Sequence, residues 1–136
     1  HIEGQETVKC ASGLTIFLGV RKGDSEKDAD FLAGKVARLR IFEDENEKMN
    51  LSVQDIQGEV LIVSQFTLYG DCRKGNRPGF DQAADPETAN ELYEYFIAQV
   101  KNQGITVHTG TFQAHMGIEL YNDGPVTFLI ESEKNN

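Results

Sequence analysis

A short polar segment at the end of an apolar run is the part of the sequence best suited to chemistry. Residues 64–67 directly follow the apolar residues 60–63. A buried strand that ends in two hydroxyls and an amide must pair these groups, because an unpaired polar group costs free energy when it leaves water. The segment therefore forms either an internal hydrogen-bonded network or the polar lining of a pocket at a sheet edge. Its members are Ser64, Gln65, Phe66 and Thr67.

A second candidate is the sequence Asn-Asp-Gly-Pro at residues 122–125, between two predicted strands. These residue types favour tight turns, so a plain hairpin turn is one interpretation. A glycine-proline bond is also a place where a cis peptide costs little. A cis bond between Gly124 and Pro125 would point two successive carbonyls the same way and offer a ligand amine a rigid pair of acceptors.

No metal or cofactor is expected. His1, His108 and His115 are far apart in the sequence, whereas metal sites come as spaced clusters, so each is interpreted as a surface or core histidine. Phosphate-binding glycine motifs, zinc motifs and a serine nucleophile elbow are all missing from the sequence. A Ser-His-Asp triad stays open, because geometry and not residue order defines a triad.

The formal net charge of −9 argues against broad nucleic-acid binding, which normally uses a basic face. The one compact basic candidate is the loop 71–79 with Arg73, Lys74 and Arg77; the alternative is an ordinary solvated loop. Two cysteines, Cys10 and Cys72, match no metal spacing. They are predicted to be free thiols in a reducing cytosol.

The elements that must position these residues are predicted to form a single domain over residues 1–136, without repeats or linkers. Every apolar run is strand-sized, so no membrane span is predicted, and no secretory signal is visible. Residues 14–20 are predicted to form a strand, and a helix is predicted to begin at Asp24 or Ser25. Its core-facing residues at helical spacing are Ala29, Leu32, Val36 and Leu39.

A second helix is predicted to begin at Asp85, with Pro86 at its first position, and to end at Gly104. The strongest strand is predicted over residues 60–69. Further strands are predicted over 106–109, 115–121 and 126–131. This order predicts an α+β domain with mainly antiparallel sheets.

The sequence resembles the D-aminoacyl-tRNA deacylases over about residues 13–132. The matching pieces are residues 39–44, 48–50, 63–68, 74–78 and 122–127, in the same order as in the family. The resemblance implies an α+β fold of curved, mainly antiparallel sheets forming a barrel-like core with two principal helices. It implies a homodimer that hydrolyses the ester of tRNA charged with a D-amino acid, and glycyl-tRNA mischarged on alanine tRNA as a second substrate.

The resemblance also implies residue roles. The 64–67 segment forms the pocket floor, where backbone N–H groups of Phe66 and Thr67 stabilise an oxyanion while Ser64 and Gln65 orient the substrate. Gly124 and Pro125 reach across from the other subunit, bind the α-amino group through a cis turn and reject L side chains. Met116 either lines this pocket or packs in the core. Water attack, assisted by the terminal 2′-hydroxyl, is preferred over an unactivated Thr67 nucleophile.

The chain departs from the family pattern in two places. The family's N-terminal strand with its Gln-Arg-Val run does not precede His1, which suggests a trimmed sequence. Gln113 stands where the family has glycine before the pocket methionine. Two alternatives stay open: a non-enzymatic nucleic-acid-associated module of the same fold, and hydrolysis of some other small ester.

Overall fold

The computed structural model describes residues 13–110 and 127–132. The predictions for His1, Cys10, Met116, Gly124 and Pro125, and for the strand 115–121, lie outside the described residues. In chain order the elements are β1 (Gly13–Leu18), α1 (Glu26–Arg38), β2 (Phe42–Glu43), β3 (Met49–Leu51), β4 (Glu59–Ser64), a 3-10 helix (Phe66–Tyr69), α2 (Pro86–Asn102) and β5 (Thr106–Thr109). The domain class is α+β, with two principal helices as predicted.

The main sheet has the strand order β1-β4-β5 and all three strands are parallel. The expectation of mainly antiparallel sheets is therefore wrong for the described residues, in which the antiparallel pairings are the short β2–β3 pair and two isolated bridges. The physical reason lies in the connections, because neighbouring antiparallel strands can be joined by a short turn whereas neighbouring parallel strands need a long crossover. Helix α1 lies between β1 and β4 in the chain, and α2 lies between β4 and β5, so each pair has a helical crossover.

Helix α1 begins where the sequence predicts. Ser25 is its N-cap, with φ −132° and ψ 179°. Its backbone N–H donates to Asp28 Oδ2 at 2.8 Å, which satisfies a donor at the helix start. Ala29 and Val36 are buried, and Leu32 packs against the core, so the predicted inner face is confirmed.

Helix α2 also confirms its predicted boundaries. Asp85 Oδ1 accepts a hydrogen bond from the Thr88 backbone N–H at 2.9 Å, and Pro86 is the first helical residue. After the C-cap, Gly104 has φ +86°, a conformation that side chains rarely adopt and that ends the helix. The predicted strand Thr106–Thr109 follows at once as β5.

Helix α1 packs against α2, and α2 packs against the sheet, so residues of both helices and of the strands share one core. Helix α2 contributes its four buried side chains, and alternate strand residues meet them from the sheet. The core cluster includes Leu18, Ala33, Val36, Val53, Val60, Ile62, Tyr93, Phe96, Ile97, Val100 and Ile105. This packing fixes the strand ends relative to the helices.

Two strand predictions need correction. The strand predicted over 60–69 stops at Ser64, and the chain then turns into the 3-10 helix Phe66–Tyr69. Residues 127–131, predicted as a strand, are irregular, and Phe128 and Leu129 are exposed. Strand propensity depends on a pairing neighbour, and no described strand pairs with these residues. None of the described helices has the length and apolar character to cross a membrane.

Candidate active site

The carboxyl ends of the three parallel strands lie together at one edge of the sheet. Leu18 pairs with Ser64, and Ile62 pairs with Thr109, so β1, β4 and β5 all end there. We call this the carboxyl edge. In open parallel sheets, ligands bind outside the carboxyl ends of the strands, where loops of different directions diverge. The 64–67 segment, predicted from sequence as a site, lies at this edge.

The 64–67 segment leaves the sheet through one extended residue. The Gln65 backbone N–H donates to the Leu18 carbonyl oxygen at 2.8 Å and continues the β1–β4 ladder. Gln65 has φ −141° and ψ 88°, and the 3-10 helix begins at the next residue. The change of direction turns Phe66 and Thr67 outward, and both are exposed.

Two polar side chains of the segment, those of Gln65 and Thr67, contact each other. Gln65 Nε2 donates a hydrogen bond to Thr67 Oγ1. An amide cannot remove a proton from a hydroxyl, and within residues 13–110 no histidine or carboxylate is hydrogen-bonded to Thr67. The geometry gives Thr67 an orienting neighbour but no base.

Two backbone N–H groups at the start of the 3-10 helix have no hydrogen-bond acceptor among residues 13–110 and 127–132. The Leu68 and Gly70 N–H groups donate to the Gln65 and Thr67 carbonyls at 3.2 and 2.9 Å. For the N–H groups of Phe66 and Thr67, the described residues supply no backbone acceptor. First-turn donors of a helix have no partner inside the helix. These neighbouring donors can stabilise an oxygen anion that lies within hydrogen-bonding distance of both.

The segment is supported by residues that sequence analysis missed. A Cβ atom at Gly19, the residue after β1, would lie 3.0 Å from Leu68 Cβ and 3.1 Å from the Tyr69 ring, so a side chain there would force the 3-10 helix to move by a few tenths of an ångström or more. The Phe66 and Phe80 rings are 5.0 Å apart at an interplanar angle of 55°. Gly19 ends an apolar strand run, and a glycine there can indicate close backbone approach.

The basic loop 71–79 follows the 3-10 helix Phe66–Tyr69 after Gly70, and its two ends hydrogen-bond to each other. Asp71 and Gly79 exchange backbone hydrogen bonds of 2.7 and 2.9 Å. Arg73 Nε and Nη2 donate to the two Asp71 carboxylate oxygens at 2.9 and 2.7 Å. These bonds lower the pKa of Asp71 to about 2, so the pair is ionised at neutral pH. Of the three predicted cations, Lys74 and Arg77 form no ion pair with residues that the structure describes, so these two are best placed to attract a polyanion.

A groove of about 560 Å³ runs beside the site but does not include it. Its walls are β1, α1 and residues 127–132, and it reaches Leu68 and Tyr69. Its apolar body includes Leu14, Ile16 and Leu32. Burial, followed by the negative charges of Asp24 and Glu131, raises the pKa of Tyr69. The groove is thus chemically distinct from the exposed donors at the 64–67 segment.

Other residues considered for chemistry lie elsewhere. His108 Nε2 is 2.9 Å from Glu59 Oε1 on β4, in a partly buried pair away from the 64–67 segment. Cys72 is a free, exposed thiol in the basic loop. Neither residue is brought to the carboxyl edge by the hydrogen bonds described above.

Comparisons with known proteins identify the family of this chain. The family model described as D-Tyr-tRNA(Tyr) deacylase matches residues 1–131. A protein of Koribacter versatilis named D-aminoacyl-tRNA deacylase is 60% identical over 133 residues, which are 98% of this chain and 89% of that protein. A protein of Clostridioides difficile with the same name is 61% identical over 90% of this chain and 83% of that protein.

Two solved structures are also similar. One is described as c-Myc DNA Unwinding Element Binding Protein, with TM-score 0.87 and 35% identity over 98% of this chain and 91% of that one. The other, described as a probable eukaryotic D-amino acid tRNA deacylase, has TM-score 0.70 and 18% identity over 84% of this chain and 82% of that one, which supports the fold alone. From the family match and the close relatives together, the chain belongs to the D-Tyr-tRNA(Tyr) deacylase family.

Proposed function

We propose that this protein hydrolyses the ester of D-aminoacyl-tRNA and releases a free D-amino acid and tRNA. The observation that carries the proposal is the pair of open N–H groups at Phe66 and Thr67, on the carboxyl edge of the sheet. Family membership supplies the substrate class, because its close relatives are named for this activity. Mischarged glycyl-tRNA, whose amino acid has no side chain to reject, is a second substrate to test.

The proposed reaction needs little from side chains. A water molecule attacks the ester carbonyl carbon, and the carbonyl oxygen becomes an oxyanion that the Phe66 and Thr67 N–H groups stabilise. The neighbouring 2′-hydroxyl of the terminal adenosine assists proton transfer from water. The 3′-oxygen leaves as the ester bond breaks and takes up a proton. Ser64 and Gln65 orient the substrate, so the protein contributes position and fixed dipoles.

Thr67→Ala is expected to keep deacylation of D-tyrosyl-tRNA within about tenfold of wild type, because only one hydrogen bond, that from Gln65, is lost. Thr67→Ser is the conservative control. Single-turnover rates of both variants are the measurement. A fall of about a millionfold in the alanine variant, as expected for removing a covalent nucleophile, would instead make the Thr67 hydroxyl the attacking group.

The chiral selection is proposed to come from a second subunit. In a homodimer, Gly124 and Pro125 of the partner subunit would face the 64–67 segment and accept hydrogen bonds from the substrate α-amino group. The exposed position of Phe66 and Thr67 leaves room for such an approach. An L side chain would collide with this turn, whereas a D side chain would point away. Met116 would line the same pocket, and further strands would curve the sheet toward a barrel-like form.

The direct test of function compares two substrates that differ only in configuration. Wild-type protein is incubated with D-tyrosyl-tRNA and, separately, with L-tyrosyl-tRNA, and the release of tyrosine is followed. Release from the D substrate alone is the expected result. Release from neither substrate would reject the deacylase proposal, and equal release from both would reject the chiral selection.

The loop 71–79 is proposed to contact the tRNA backbone through Lys74 and Arg77, because Arg73 is held by Asp71. Lys74→Ala and Arg77→Ala are each expected to weaken tRNA binding and to reduce the slope of log K against log salt by about 1. Affinities measured over a salt series test this. The control is Lys101→Ala, in the last turn of α2, which precedes the opposite end of β5. An equal loss of tRNA affinity in the Lys101→Ala variant would mean that the loop 71–79 does not contribute more to tRNA binding than other surface cations.

The second candidate function is a non-enzymatic nucleic-acid-associated module. The observation that favours it is the similarity to a structure whose name includes DNA unwinding element binding. The net charge of −9 opposes broad DNA binding by this chain. Tight binding of duplex DNA without release of D-tyrosine would favour this alternative. Hydrolysis of simple esters with equal efficiency would instead favour a general esterase.

A further inference from the structure

A buried tyrosine of α2 joins the two strands that diverge beside the proposed site. Tyr93 has 1% of its surface exposed, and its hydroxyl oxygen lies 3.1 Å from the Ile62 carbonyl oxygen and 3.2 Å from the Gly110 carbonyl oxygen. Ile62 belongs to β4, and Gly110 is the first residue after β5. The one hydroxyl therefore bridges the backbones of two neighbouring strands.

The Tyr93 bridge lies at the end of the described pairing between β4 and β5. Ile62 and Thr109 form the last paired position of β4 and β5. Beyond it β4 continues for two residues to Ser64, while β5 has ended and the chain leads toward residues 111–126. Among the described residues, the ladder that joins β4 and β5 ends at this pair. Tyr93 supplies a hydrogen bond at the place where backbone pairing no longer does.

We propose that Tyr93 is a positioning residue for deacylation, whose hydroxyl fixes the carboxyl end of β4, and thereby the 64–67 segment, against the end of β5. This inference rests on the proposed function for its effect on rate. Its structural part does not, because the hydroxyl bridge exists without substrate. Phe66 follows Ile62 by four residues of continuous strand and turn. Loosening the end of β4 therefore displaces the backbone N–H groups of Phe66 and Thr67.

The hydroxyl is suited to a permanent bridge. Burial raises the pKa of Tyr93 to about 12, so the group stays protonated and keeps its donor over the range in which aminoacyl esters are assayed. The negative charge of Glu94 contributes in the same direction. A protonated hydroxyl can donate to one carbonyl at a time, so the two acceptors share it.

Helix α2 also supplies a matched control. Tyr95, two residues along, has a hydroxyl that donates to Asp30 Oδ1 of α1 at 2.8 Å. Tyr95→Phe therefore makes the same chemical change on the same helix and also removes one tertiary hydrogen bond. That bond joins α2 to α1 and does not lie at the carboxyl edge. A merely structural role would speed amide exchange throughout the chain in Tyr93→Phe, whereas the bridge predicts that the increase over Tyr95→Phe is concentrated at the carboxyl edge.

The experiment measures amide hydrogen exchange of the full chain together with steady-state kinetics on D-tyrosyl-tRNA. Tyr93→Phe is expected to speed exchange of the Gln65, Leu68 and Gly70 amides about tenfold over Tyr95→Phe, because the strand end opens more often. It is also expected to lower kcat about tenfold while KM stays within about twofold, since the loss is in placement of the reacting groups.

Each result decides one part of the proposal: the hydroxyl bridge, the positioning role or the proposed function. Equal exchange rates in the two variants would overturn the bridge, whether or not the protein hydrolyses D-tyrosyl-tRNA. Faster exchange with kcat unchanged would overturn the positioning role and leave a structural one. Failure of wild-type protein to hydrolyse the substrate would reject the proposed function, and the exchange rates alone would then judge the bridge.

Discussion

Gly19→Val is expected to lower the rate of D-tyrosyl-tRNA hydrolysis about a hundredfold while the protein stays folded. Even a methyl group at this position would lie 3.0 Å from Leu68 Cβ and 3.1 Å from the Tyr69 ring. The larger side chain must push the 3-10 helix away from β1, and with it the N–H groups of Phe66 and Thr67. A displacement of about 1 Å at reacting groups can cost this much in rate.

The size of the substituent provides an internal check. Gly19→Ala needs a smaller shift, so its rate should lie between wild type and Gly19→Val. Gly79→Ala serves as the steric control at saturating protein, where a change in tRNA binding by loop 71–79 does not alter the rate, because a Cβ atom there would meet only the Asp71 carbonyl oxygen at 4.0 Å. Rates are measured by single-turnover kinetics, and folding by circular dichroism. Wild-type rates in a folded Gly19→Val variant would rule out the proposed role of the 3-10 helix.

Phe96→Ala is expected to lower the free energy of unfolding by about 3–5 kcal/mol, the usual effect of truncating a buried phenylalanine. Phe96 has 1% of its surface exposed and lies in the core between α2 and the sheet. Removing its ring takes apolar contacts out of the core and enlarges the neighbouring groove, which Phe96 also lines. The carboxyl edge should lose order with it, because α2 holds β4 through this core.

Urea unfolding measures this effect, and Phe31→Ala is the control. Phe31 on α1 is 45% exposed and has the Lys35 ammonium 5.6 Å from its ring centroid. Its truncation should cost about 1 kcal/mol or less, as for an exposed side chain with one cation–π contact. Equal losses in both variants would mean that Phe96 does not anchor the core.

The helices could be predicted from sequence because their signals are local. Asp85, Pro86 and Gly104 each act within one turn of the helix end, and all three stand where the structure requires them. Strand direction is not local. The antiparallel expectation failed because it did not treat α1 and α2 as crossover connections, which only the assembled sheet makes evident.

The site could be predicted in part. The polar 64–67 segment after an apolar strand was recognisable, since buried polar groups need partners. Its turn into a 3-10 helix was not, because residues 66–69 carry strand-favouring side chains and the close approach of Gly19 to Leu68 and Tyr69 is a long-range contact. Pairing of Arg73 with Asp71 was likewise hidden, since charge counting treats every cation in a loop alike.

The role of the Phe66 and Thr67 N–H groups is tested by locating a bound substrate analogue on the backbone. An amide-linked analogue of 3′-D-tyrosyl-adenosine cannot be hydrolysed by ester chemistry, and amide chemical shifts of the isotope-labelled protein report where it binds. We expect the largest shift changes at the Phe66 and Thr67 amides. Changes confined to the groove residues Leu14, Ile16 and Leu32, with the Phe66 and Thr67 amides unmoved, would place the substrate elsewhere and refute the proposed site.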